Sequence, residues 1–291
     1  MSALIEKARD THFFVEEVSE YYRHTWIDYV LVWSNSTNLA LHFGYYDRET
    51  PNHAESLSNA NEVLANKIGL NQGEHVLDAG CGVGGTSFWL AEHRGATTTG
   101  IALGRDQIEL AVGEASRRCL SDKCTFVNAN FEHLPFPAKS FDVVWAQESL
   151  CHSADKGAFF KEAYRVLRPG GRIVIADFFL RSAAIDADKQ TIIREWLEGW
   201  KIPMLWTAAQ HINAASSAQF SNVAVSDVSA HTMRSHLRLY QLAVLAMPLA
   251  AFLKRTQMRS NLQNGNVIAA LRQYQALQLD CWFYGILTAD K

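Results

Sequence analysis

The stretch Val76-Leu-Asp-Ala-Gly-Cys-Gly-Val-Gly-Gly85 decides the fold: a short apolar run ends near an acidic residue, passes through a glycine-rich turn and enters an amphipathic segment over 87–93. Glycine lets backbone approach a ligand closely, and the helix that follows offers unpaired N–H groups at its start. A turn of this kind suits a nucleotide-like ligand. Gly80, Gly82 and Gly85 also satisfy GxGxxG, so this stretch taken alone leaves a dinucleotide oxidoreductase open.

Outward from that turn the same alternation repeats. Short apolar runs at 75–79, 96–101, 124–127, 141–145 and 172–176 are separated by amphipathic segments at 87–93, 105–118 and 157–167. The pattern predicts an α/β fold with a parallel sheet covered by helices on both faces, and ligands on such sheets sit beyond the carboxyl ends of the strands. Upstream, Leu57, Ala60, Val63, Leu64 and Ile68 space as a helix that Gly69 stops. Downstream, 181–215 reads as helical with Trp196, Trp200 and Trp206, 221–228 alternates like a strand, 237–279 is an apolar helical region, and 281–288 is a last strand. The expected division is a helical cap over 1–52, a cofactor-binding core over 53–180, and cap insertions with the remaining core strands over 181–291.

Composition narrows the class. The chain has 291 residues, a formal charge of -3 and 48% hydrophobic content, so no basic field speaks for a nucleic-acid partner. Five cysteines make an odd set without a CxxC pair, and the histidines include no HExxH, so neither a disulfide framework nor a metal site is expected. The first residues, MSALIEKARD, lack an apolar signal core, and a cytoplasmic location is expected. The run from Leu239 to Leu253 is uncharged but short of the roughly 20 residues that span a bilayer, and Pro248 interrupts it. It reads as a buried or interfacial helix, which leaves room for peripheral membrane contact without a transmembrane segment; a homo-oligomer is also compatible.

With the downstream motifs added, the chain resembles class I S-adenosylmethionine-dependent methyltransferases, nearest to the small-molecule subgroup with tocopherol, sterol and isoprenoid C-methyltransferases. Asp78, Gly80 and Gly82 look like the family's first motif, where glycine backbone meets the methionine part of the cofactor and the acid fixes its amino group. The acidic ribose residue common after the second strand is missing at 102; Leu103 and Gln107 match a variant of that subgroup, although Gln107 reads equally well as a solvated residue of a first helical turn. Asn130 and Phe131 resemble the adenine motif, with Asn where an Asp is usual, and Gln147 in the segment after the fourth strand is expected to bind the cofactor as well. The Leu167-Arg-Pro-Gly-Gly171 loop resembles the segment before the fifth strand. The resemblance implies a seven-stranded Rossmann-like sheet, its last strand reversed beside the fifth, and S-adenosyl-L-methionine as cofactor.

Trp145-Ala-Gln-Glu-Ser-Leu-Cys-His152 resembles the subgroup's Glu-Ser-x-x-His segment and would put Glu148 and His152 near the transferring methyl. Attack by an alkene creates a cation that must be stabilised and deprotonated; aromatic faces contribute roughly 0.5–2 kcal/mol each, and a carboxylate can accept the proton. Glu148 with Tyr21, Tyr22, Trp200 and Trp206 could supply that combination, with core filling as the plainer reading of each aromatic. His152 reads as a base, or as a residue that orients Glu148 or caps a helix; for His42 a structural role is expected. The apolar surface downstream of 181 favours a hydrophobic acceptor such as an isoprenoid, a lipid or a natural-product precursor. Carbon methylation is therefore the leading expectation, N- or O-methylation of a small metabolite the alternative, and an inactive cofactor-binding scaffold the non-enzyme alternative.

Overall fold

The computed structural model describes residues 17–25, 28 and 38–291. Trp26, Tyr29 and Trp33 of the expected N-terminal cap lie outside the described residues. Residues 17–25 are helical, and 38–47 run without helix or strand toward α1 (His53–Lys67). Asn52 caps α1 by accepting from the Glu55 N–H, and Leu57, Ala60 and Leu64 bury one face. Gly69, at φ +56, follows the helix end in the left-handed region that ends helices.

The core then alternates as β1 (His75–Ala79), α2 (Gly85–Arg94), β2 (Thr97–Ala102), α3 (Arg105–Arg117), β3 (Cys124–Asn128), β4 (Phe141–Gln147), a 3-10 turn over Leu150–His152, α4 (Lys156–Val166) and β5 (Leu167–Leu180). The C-terminal part adds α5 (Ala187–Gly199), α6 (Ala208–Ser217), β6 (Ser221–Asp227), α7 (Ser229–Arg255), α8 (Asn261–Gln278) and β7 (Trp282–Asp290). The seven strands order as β3-β2-β1-β4-β5-β7-β6. The first five are parallel, and β7 runs antiparallel between β5 and β6. Strand order reverses between β1 and β4, which opens the ligand crevice at their carboxyl ends.

Period-two alternation builds two cores. Val143 and Trp145 of β4 face one cluster with Leu64, Leu90, Trp196, Leu239 and Ala269, whereas Val144 and Ala146 face the other with Phe159, Phe160, Ala163 and Ala215. Helices thus cover both faces of the sheet. The ends of α5 and α8 cross so closely that a Cβ at Gly199 would overlap the Gly265 carbonyl, which holds α8 against the first core.

Two expectations change. The apolar run from Leu239 is not interrupted at Pro248: α7 continues through it to Arg255, and by length and composition it is long and apolar enough to cross a membrane. Proline removes the donor for the Val244 carbonyl, but Val244 is an exposed residue, so solvent can satisfy that group. Trp206 is not helical. It lies in the extended connection to α6, where its carbonyl accepts from the Leu180 N–H and Thr207 bridges Leu180.

Candidate active site

Below the carboxyl ends of β1 and β4 lies a cavity of about 100 Å³. Asp78, Gly80, Gly82, Leu103, Gln107, Phe131 and Gln147 line it. Gly80 sits at φ +100, and a Cβ there would overlap Ser149, so only glycine lets the turn after β1 pass the loop after β4. Asp78 is buried and accepts from the Ser87 hydroxyl at 2.7 Å; burial pushes its carboxyl up to about 6. Gln147 spends its Oε1 on Trp145 Nε1 at 3.1 Å, and its Nε2 is buried without a partner among the described residues.

An orphaned amide N–H, a desolvated carboxylate and the Gln107 amide form a donor and acceptor set. It fits a ligand with an ammonium for Asp78, a carboxylate for Gln147 and hydroxyls for Gln107, as S-adenosylmethionine has. Asn130 does not line the cavity: its Oδ1 accepts from the Glu132 N–H at 2.9 Å, so it shapes the turn that presents Phe131. His42 does line it, with Nδ1 donating to the Phe43 carbonyl and Nε2 buried without a partner among the described residues.

A second cavity, of about 380 Å³, adjoins the first, and Tyr22, Leu41, Glu148 and His152 line both. These four residues form the junction between the two cavities. Glu148 stands there at φ +51, a strained conformation for a side chain of this size. Its N–H donates to the Ala176 carbonyl at 2.8 Å, and its Oε1 accepts from the Phe43 N–H at 2.6 Å and the Tyr284 hydroxyl at 2.7 Å. Burial still pushes its carboxyl up to about 8.

His152 Nδ1 faces the Lys201 carbonyl at 3.3 Å. A carbonyl only accepts, so Nδ1 carries the proton and Nε2 accepts from the Tyr22 hydroxyl at 3.1 Å. Burial lowers this imidazole to about 4, which keeps it neutral, with Nε2 the unprotonated ring nitrogen.

Three buried charges that the sequence reading did not single out fix this loop. Asp177 accepts from the Cys151 N–H at 2.8 Å, and Glu132 Oε1 accepts from the Ser153 hydroxyl and from the Ala154 and Asp155 N–H groups. Lys156 Nζ donates to the Ser153 and Met204 carbonyls, each at 2.9 Å. A signal for Lys156 existed: a cation in the first turn of a helix opposes the helix dipole, so some other interaction must hold it there.

The larger cavity is walled by α7 and α8 through residues such as Leu239, Leu242, Ala246, Leu253 and Val267, with Phe178 and Trp200 beside them. Away from the junction its polar lining is Asp28, Arg259 and Asn266. Arg259 is ion-paired to Asp28 at 2.7 Å. Of the aromatics expected at the acceptor, Tyr22 and Trp200 line this cavity and two do not. Tyr21 lies behind Tyr22, its hydroxyl donating to Asn266 Oδ1, and Trp206 meets His211 edge to face with Lys156 Nζ over its ring.

Residues 77–175 match the methyltransferase domain family. The chain is 38% identical over 154 residues to the 27-O-demethylrifamycin SV methyltransferase of Amycolatopsis mediterranei, covering 52% of this chain and 57% of that one. It therefore spans little more than half the length of that relative. It is 31% identical over 211 residues to the O-methyltransferase cnsE of Penicillium expansum, covering 71% of this chain and 74% of the relative. Among solved structures, the [4+2]-cyclase SpnF superposes with a TM-score of 0.77 over 95% of this chain and 96% of that one, at 24% identity, a likeness of fold. With sequence, sheet order and cofactor-type cavity in agreement, the chain belongs to the class I S-adenosylmethionine-dependent methyltransferases.

Proposed function

We propose that this protein transfers a methyl group from S-adenosylmethionine to an apolar, uncharged small molecule, with carbon as the leading acceptor atom. One observation carries this reading: Glu148 and His152, two proton acceptors, line both the cofactor cavity and the aliphatic cavity. Bound in the first cavity, the cofactor supplies the electrophilic methyl. What remains for the chain is to align the acceptor, keep out water and take a proton.

Carbon methylation is supported by what surrounds Glu148. Phe43, Phe178 and Trp200 line the acceptor cavity with it, and Tyr284 donates to it. Aromatic faces and a carboxyl are what a developing carbocation needs. The carboxyl rests largely protonated because it is buried, and a neighbouring positive charge draws the proton off, so ionisation of Glu148 is tied to a loaded site. Oxygen methylation is the second reading, favoured by the Tyr22–His152 pair at the junction, through which an acceptor hydroxyl that takes the place of the tyrosine O–H would reach the neutral Nε2, and by a relative named as an O-methyltransferase.

The acceptor's charge follows from the cavity wall. Among the described residues Arg259 is the one permanent cation there, and Asp28 already neutralises it. A diphosphate would enter with its charge uncompensated. Sterols, prenylated phenols and free polyprenols fit better than prenyl diphosphates. Mass spectrometry with methyl-labelled S-adenosylmethionine tests the reading on those four classes and on small amines. Label on carbon of an uncharged acceptor supports it, label on oxygen selects the second reading, and label confined to diphosphates or amines overturns it.

A further inference from the structure

The helix α7 is apolar on two sides. Leu242, Ala243, Ala246 and Ala250 line the acceptor cavity, while Leu245 is 76% exposed and Phe252 61% exposed. Leu249 does both, bordering the cavity while 61% exposed. A helix on the surface of a soluble protein normally turns a polar face outward. Here positions 245, 249 and 252, spaced as one helical stripe, are all large and apolar. Scattered exposed hydrophobics need no explanation, but five of the nine found among the described residues fall in this one stretch: Val244, Leu245, Leu249, Phe252 and Met258.

The charge pattern matches. Within α7 no charged residue follows Arg238 until Lys254 and Arg255, which are exposed and make no ion pair among the described residues. An apolar stripe ended by two cations is complementary to a bilayer with anionic headgroups. Spanning is incompatible with the packing. The other side of α7 is committed to the cavity wall, and its first turns are pinned by the Ser229 hydroxyl, which accepts from the Tyr284 N–H, and by the Ser235 hydroxyl, which accepts from the Gly44 N–H.

We propose that the outer face of α7 seats this protein on an anionic lipid surface, and that the apolar acceptor enters from the bilayer beside Leu249. The entry step rests on the acceptor reading above; the seating does not, and it is tested without any acceptor. Full-length protein is floated with vesicles of phosphatidylcholine alone and of phosphatidylcholine mixed with phosphatidylglycerol. Binding is expected on the mixed vesicles, weakened by salt. Leu245→Glu with Phe252→Glu should weaken it about tenfold or more by removing two apolar anchors. Lys254→Glu with Arg255→Glu should weaken it about tenfold on the anionic vesicles. These four positions lie outside both cavities, so S-adenosylhomocysteine affinity and melting temperature serve as folding controls.

No flotation with either vesicle, or flotation that Leu245→Glu with Phe252→Glu leaves unchanged, overturns the proposal. So does light scattering that shows a dimer which the same pair of substitutions makes monomeric, since that assigns the stripe to a second copy of the chain. Flotation without any methylated product would leave the membrane surface standing and count against the acceptor reading alone.

Discussion

The Tyr284 hydroxyl donates to Glu148 Oε1 at 2.7 Å across 136 residues of sequence, so the reversed last strand tunes a carboxyl at the end of β4. That bond draws Glu148 down while burial pushes it up, and burial wins, leaving it at about 8. Tyr284 itself is held well above its ordinary range by burial and stays a neutral donor.

Removing the donor therefore has a signed consequence. In Tyr284→Phe the Glu148 carboxyl moves further up, and the pH–rate profile shifts toward alkali by about one to two units, the worth of a hydrogen bond to a charged group. Cofactor affinity should barely change, because Tyr284 does not line the cofactor cavity. A profile that stays in place while turnover falls would show that Tyr284 acts through packing alone.

Asp78 and Glu148 should separate binding from chemistry. Asp78→Ala leaves the cofactor's ammonium unpaired and should weaken cofactor binding about ten- to a hundredfold. Glu148→Gln keeps the shape and should lower turnover about a hundredfold with binding of S-adenosylhomocysteine nearly intact. Titration calorimetry beside single-turnover rates reads both. Equal losses of affinity in the two variants would remove the division of labour.

Much of this was legible in the sequence because it is local. The turn at Gly80 shows itself through glycine spacing, and the strand and helix periods around it reveal the sheet and its ligand edge. What sequence could not show is which distant groups meet. Tyr284 and Asp177 act on the loop after β4 from separate strands, and nothing in their own neighbourhoods points to it. Asn130 carries the right motif position, yet its short amide accepts from the Glu132 N–H two residues on, a local bond that shapes the turn, and it does not line the cavity. Trp206 sits in a run with helical spacing, but Leu180 takes that backbone into an extended pair instead.

His152 and Tyr22 should behave as a coupled pair. His152→Gln removes the unprotonated Nε2 and should lower turnover about a hundredfold where a proton leaves the acceptor. Tyr22→Phe removes one neutral hydrogen bond that orients the ring, and about tenfold or less is expected. The double variant should be no worse than His152→Gln alone, because the tyrosine bond has nothing left to orient. Additive losses would instead place Tyr22 on the acceptor directly.

Stability should be greatest near neutrality, with opposite groups setting its two limbs. Burial lowers His42, His53, His152 and His211 to about 4 and His236 to about 3. Below the ordinary histidine value of 6.5 the unfolded chain takes up protons that these rings refuse, so stability is lost as pH falls from there toward 4. Asp78 and Asp177, both raised to about 6, and Glu148 oppose this in part, since each keeps a proton in the folded state that the unfolded chain has released. Five histidines against three carboxyls leave the acid limb falling. Above 6.5 the balance inverts: Glu148 still holds its proton up to about 8 while the unfolded chain does not, and stability declines gently across that interval. Melting temperatures across pH 4.5 to 7.5, taken without ligand, check both limbs below the value of about 8 at which buried Lys156 sheds its own proton and offsets the decline. Glu148→Gln should flatten the alkaline limb and leave the acid one, and an alkaline limb that survives the substitution would mean that another group titrates there.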